Sequence, residues 1–179
     1  MKLHTASFCA ASLAMTCTIH AATITVGPGG TSSGYDHALI ANAVGASSSG
    51  DTIKISPGTY YELIDTAGKG IELTAQSGLG SVIIDGGGTH PLVICTSGET
   101  SATVFQDLVL QNGADANGGA IRIGGSSPRF IGCLIQDNYA TNNGGGVWMD
   151  GSNTVFEHYR FLNNEAGGQG GGAYANGSA

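Results

Sequence analysis

The chain has 179 residues, 31 of them glycine, with 11% charged residues, 7% aromatics and a net charge of −7. Glycine stands far above its usual ~7% share, but no triplet period exists, so the chain is not collagen-like. Apolar residues reach 41% and alternate in order, which argues against simple disorder. The six Lys and Arg are scattered, so no basic patch is offered to phosphates and nucleic acid is not an expected partner. The acidity serves solubility, and it would repel a polyanionic substrate unless a cation such as Ca²⁺ intervened.

Residues 1–21 read as a secretory signal. Lys2 supplies a minimal positive start, Ala6 to Thr18 is apolar and small, and Ile19-His20-Ala21 offers a small residue at the cleavage position. The apolar run is too short for a membrane span. Cys9 and Cys17 would leave with it. Cys95 and Cys133 remain, at a spacing that is not one repeat, so no disulfide is predicted and Cys133 is expected to pack inward.

Residues 22–50 form an entry segment. Ala22 to Val26 alternates as a strand, and Gly27-Pro28-Gly29-Gly30 ends it. From about Tyr35 to Val44 the pattern turns helical, with Leu39, Ile40, Ala43 and Val44 on one side. Asp36 is placed to cap its start and Gly45 to end it. A solenoid exposes its core at its first coil, and this helix is predicted to cover it.

Residues 51–179 read as coils. Gly50 to Ile55, Gly68 to Leu73 and Ser81 to Gly87 each hold a strand, and Ser56-Pro57-Gly58-Thr59-Tyr60 reads as a turn. From Gly118 onward the sequence repeats every twenty-six residues. Gly118-Gly119-Ala120-Ile121 falls over Gly144-Gly145-Gly146-Val147 and Gly170-Gly171-Gly172-Ala173. Ile121/Ile123, Val147/Met149 and Ala173/Ala175 share one face of a strand. Phe130, Cys133 and Ile135, then Phe156, Tyr159 and Phe161, supply further apolar positions. Phe105, Leu108 and Leu110 match the latter set at twenty-five. Asn112, Asn138 and Asn164 lie twenty-six apart and predict a ladder of stacked amides. About five coils are expected from Asp51. The last block opens without its second strand or a cap, so a fragment of a longer chain is expected.

The Gly-Gly-Ala pieces and Phe161-Leu162-Asn163-Asn164 resemble the GGA[I/V/Y] and FxxN repeats of polymorphic outer-membrane proteins. The run from Gly50 through Gly87 resembles the N-terminal region of bacterial pectin-lyase-like proteins. The resemblance implies an all-β, right-handed parallel β-helix with a short N-terminal capping helix, secreted or displayed on a cell surface.

Lyase chemistry on such a scaffold needs carboxylates from neighbouring coils to hold Ca²⁺, and an Arg or Lys as base. At the twenty-six-residue spacing Asp137 stands over Gln111 and Asn163, Asp150 over Gly124, Glu157 over Ile131, Glu165 over Tyr139 and Asp115 over Thr141. No two carboxylates share a column, and Arg122, Arg129 and Arg160 fall in three. No catalytic, metal or cofactor site is assigned. The remaining column is Arg122, Trp148, Tyr174, three planar groups one coil apart, a pattern that suits sugar stacking. The expected function is therefore an exported, non-catalytic module for surface adhesion or glycan contact. The alternative is the N-terminal part of a pectate-lyase-like lyase or hydrolase, using Ca²⁺, with its active coils beyond residue 179.

Overall fold

The computed structural model describes residues 21–177. All but the last residue of the predicted signal segment lies outside them. Short alternating strands separated by Gly, Asn and Ser wind into an all-parallel β-solenoid of about six turns.

The first face stacks Thr23–Val26, Thr52–Ile55, Glu72–Ala75, Val104–Gln106, Arg129–Ile131 and Val155–Glu157. The second stacks Gly58–Tyr60, Val82–Asp85, Leu108–Gln111, Leu134–Gln136 and Arg160–Leu162. The third stacks Ile64–Asp65, Val93–Cys95, Ile121–Gly124, Val147–Asp150 and Ala173–Asn176. In the last three turns a narrow fourth face, Ala114–Asn117, Tyr139–Asn143 and Glu165–Ala166, comes between the second and third. Gly58–Tyr60, read from sequence as a turn, is a strand because its register with Val82–Ile84 extends the second face.

Strand alternation sends every second side chain inward, onto its equivalent in the next coil. Ile53, Leu73, Phe105 and Phe130 form one such buried column and Phe156 continues it, half-buried. The Phe105 and Phe130 rings stack at 4.8 Å and the Phe130 and Phe156 rings at 5.0 Å, close to the strand spacing itself. Cys95 and Cys133 are both buried and unbridged, and Cys133 packs inward as predicted. Burial pushes both thiols up, Cys133 to about 11, so each packs as a neutral apolar group.

The repeated glycine pair has two separate causes. Gly118, Gly144 and Gly170 have φ between 68° and 74°, where a Cβ is disfavoured. Gly119 and Gly145 have ordinary φ but no room. A Cβ on Gly119 would strike the carbonyls of Gly145 and Tyr139, and one on Gly145 those of Glu165 and Gly171.

The amide ladder is shorter than the sequence spacing implies. Gln111 pairs with Gln136, so the step there is twenty-five and Asn112 stands over Asp137. Asn112, Asp137 and Asn163 form a column of left-handed residues at φ 54°, 55° and 50°, a conformation that Asn and Asp tolerate better than other side chains. The ladder is buried Asn138 over half-buried Asn164, with Nδ2 of Asn138 donating to Oδ1 of Asn164 at 2.8 Å. Asn138 also donates to the Leu110 carbonyl and accepts from the Gly113 amide. Every buried side-chain nitrogen and oxygen among the described residues has a partner.

The helix spans Ile40–Ala46, later than its predicted bounds, and buries Ile40, Ala43 and Val44 against the first coils. Asp36 does not cap it. Its carboxylate accepts from the backbone N and Oγ1 of Thr25, both at 2.7 Å, and is held below the usual range by those bonds. The cap comes from Glu62, whose two oxygens accept from the Ile40 and Ala41 amides at 3.0 and 2.9 Å. Gly45 lies inside the helix, and Lys69 holds the other end. Its Nζ donates to the carbonyls of Val44, Gly45 and Ser47 at 2.5, 3.1 and 2.8 Å. Negative charge thus meets the amide end and positive charge the carbonyl end, matching the helix dipole.

Candidate functional site

On the third face Ile121, Ile123 and Val147 point into the core, so the residues between them point out. Arg122 stands over Trp148 and Trp148 over Tyr174, in the register the sequence predicts. Ile94 and Asp65 extend this column on the other side of Arg122. Their steps are longer than twenty-six, because they lie outside the strict repeat, and the sequence reading missed them. Arg122 is held by Asp115 from the fourth face, Nη1 to Oδ2 at 3.0 Å. Trp148 and Tyr174 are half-buried. Asp150 and Asn176 stand two residues along on the same face, joined from Nδ2 to Oδ1 at 2.9 Å. The face therefore sets aromatic rings beside carboxylate and amide groups.

The carboxylate columns need two corrections. Asp137 stands over Asn112, not Gln111, and Asp115 over Ala140, not Thr141, because this corner steps by twenty-five. Asp150 over Gly124, Glu157 over Ile131 and Glu165 over Tyr139 are as predicted. Arg129 pairs with Glu157 at 2.8 Å on the first face. Among the described residues no three His, Cys, Asp or Glu side chains group as a metal site would need.

Three carboxylates invisible to the repeat are buried, Asp51, Asp85 and Glu99. Glu99 sits at the corner between the third and first faces, 2% exposed. It accepts from Thr66 Oγ1 and the Gly68 amide in one coil, the Ser97 amide in its own and Ser126 Oγ in the next, at 2.8–3.1 Å. Burial raises its pKa, but the bonds from Gly68, Ser126 and Ser97 outweigh that and hold the group below its ordinary value. It acts as a clasp across three coils. Asp85, at the end of its strand, is likewise raised by burial and drawn lower overall by bonds from Gln111, Gly87 and Asn112. Gln136 donates to Gln111 in turn, so Gln136, Gln111 and Asp85 run as one outward ladder on the second face.

Beside that ladder, at the corner of the second and fourth faces, lies an open groove of about 520 Å³. Gly87, Gly88, Asn112, Gly113, Ala114, Asp137 and Tyr139 line it. A second hollow of about 320 Å³ lies beside the helix, lined in part by Leu39, Tyr60, Tyr61 and Glu62. No helix among the described residues is long and apolar enough to cross a membrane.

Compared with known proteins, the sequence matches no family model and no curated protein.

Proposed function

We propose that this chain is an exported, non-catalytic solenoid module that contacts glycans on an outer surface, in adhesion or cell-surface attachment. The carrying observation is the register of Arg122, Trp148 and Tyr174 on one outward column of the third face. Three planar groups on successive coils offer a strip along which a polysaccharide chain could lie, the two rings and the guanidinium plane each covering a sugar face. Asp150 and Asn176 beside the rings supply hydrogen-bonding groups for hydroxyls. The right-handed, pectin-lyase-like assignment and the kinship of the repeats with polymorphic outer-membrane proteins belong to this proposal. They rest on the Gly-Gly-Ala and FxxN resemblance together with the all-parallel coil stack.

Trp148 is the only tryptophan, so its fluorescence reports directly on the strip. Titration with plant and bacterial polysaccharides is expected to shift that emission. Removing the ring in Trp148→Ala should lower affinity about tenfold by calorimetry, the worth of one good aromatic contact. Tyr174→Ala should cost severalfold. Equal affinity of the double variant and the wild type for every glycan bound would overturn the reading.

A further inference from the structure

We infer that the groove at the corner of the second and fourth faces is a separate binding subsite for a neutral saccharide. It requires neither Trp148 nor Tyr174. Three consecutive coils build it, and each supplies a different part. The first gives a floor without side chains, Gly87 and Gly88, where Cβ positions would open into empty space. The next gives Asn112, Gly113 and Ala114, still small. The third raises a wall, Asp137 and Tyr139, the tyrosine 45% exposed. The floor brings a ligand close to the backbone while the wall offers it a ring.

The volume of about 520 Å³ falls in the range of small-ligand sites. Its polar groups are held in place. Asn163 donates to Asp137 Oδ1 at 3.1 Å, which restrains the carboxylate on the groove lining. Asn112 donates its Nδ2 to Asp85 at 2.9 Å, which leaves its amide oxygen as an acceptor. An exposed aromatic ring beside a fixed carboxylate and a fixed amide oxygen suits a molecule with hydroxyl donors around an apolar ring face. That describes a pyranose.

Charge narrows the class. No Lys or Arg lines the groove, Asp137 stands on its wall, and Asp85 accepts from Asn112 of its middle coil. Glu165 stacks over Tyr139 one coil further on. A uronate or sulfated sugar would meet like charge with nothing to offset it, so the ligand is uncharged.

The test uses cellohexaose, maltohexaose and chitohexaose as neutral probes and hexagalacturonate as the acidic one. Binding is measured by calorimetry and by saturation-transfer NMR on the full chain. At least one neutral probe is expected to bind and hexagalacturonate not to. Tyr139→Ala should lower affinity about tenfold, and Tyr139→Phe, which keeps the ring, less than threefold. Asp137→Gly keeps the left-handed backbone and removes the carboxylate, and about a fivefold loss is expected. Unchanged melting of each variant separates lost binding from lost fold, and should Tyr139→Ala not fold, Asp137→Gly and Tyr139→Phe carry the test. Loss in Tyr139→Ala with no change in Trp148→Ala supports the groove and removes the outer column. Loss in Trp148→Ala alone does the reverse. Failure of all neutral probes to bind, or tighter binding of hexagalacturonate, overturns this inference.

Discussion

Phe130 and Phe156 are the same residue type in the same column, one coil apart, yet Phe130 is fully buried and Phe156 is not. The difference lies in the neighbours. Among the described residues Phe130 has a coil on each side, whereas Phe156 has one, and Phe156 also meets Tyr159 and Phe161 of its own coil edge-on or tilted. Ile135 is fully buried but Phe161, stacked over it, is half-buried. In a solenoid, burial is a property of position in the stack more than of the residue itself. The opposite end makes the same point. There the first coils keep Val26 and Ile53 fully buried because a helix lies against them, fastened at one end by Glu62 and at the other by Lys69.

The largest test of this contrast uses glycine. Gly119→Ala would drive a methyl into the carbonyls of Gly145 and Tyr139, and should cost about 4 kcal/mol. Gly171→Ala, in the last coil, meets only the Asn164 carbonyl closely and should cost about 1–2 kcal/mol. Urea unfolding measures both, and equal costs would mean that the last coil is as tightly covered as the inner ones. Phe130→Ala should lose about 3–5 kcal/mol and Phe156→Ala about half of that. A full-sized loss at Phe156 would point to a covered end in solution.

Glu99→Gln sharpens the comparison differently, since it disturbs a clasp across inner coils and leaves their apolar packing alone. A loss of about 2 kcal/mol is expected at neutral pH, because an amide cannot accept at both ends. The folded carboxylate has a lowered pKa. Its contribution is therefore present above the unfolded value, and disappears as pH falls from there through the lower folded one. The variant should show a flatter stability profile in that window, and a profile parallel to wild type would refute the role given to Glu99. The smallest effect belongs to the helix ends. Glu62→Gln and Lys69→Met should each cost about 1 kcal/mol and speed amide exchange in Ile40–Ala46 more than elsewhere.

What could be read from the sequence was whatever repeats. The Gly118 block, the inward Ile121, Val147 and Phe130 positions and the Arg122–Trp148–Tyr174 column all follow from one period, because parallel stacking converts equal spacing into contact. The misreadings sit where the period slips by one. The twenty-six-residue period puts Asn112 over Asn138 and Asp115 over Thr141, but Gln111 over Gln136 fixes twenty-five at this corner. Glu62, Lys69 and Glu99 carried no signal, since their partners are mostly backbone groups of loops and helix ends, which any sequence supplies. The groove was equally hidden. Its floor is a glycine loop outside the repeat, and its wall becomes a wall only when Tyr139 is set against the smaller residues below it.

The hydrogen bonds joining one coil to the next all run along the long axis of the solenoid. Tension between the two ends of the chain therefore loads the coils in sequence, and the least supported turn opens first while the rest stay wound. Each release of a twenty-six-residue turn would lengthen the molecule by roughly 85–90 Å at full extension. Such a rod yields in steps rather than snapping, so each opened turn absorbs work while the turns behind it keep their packing.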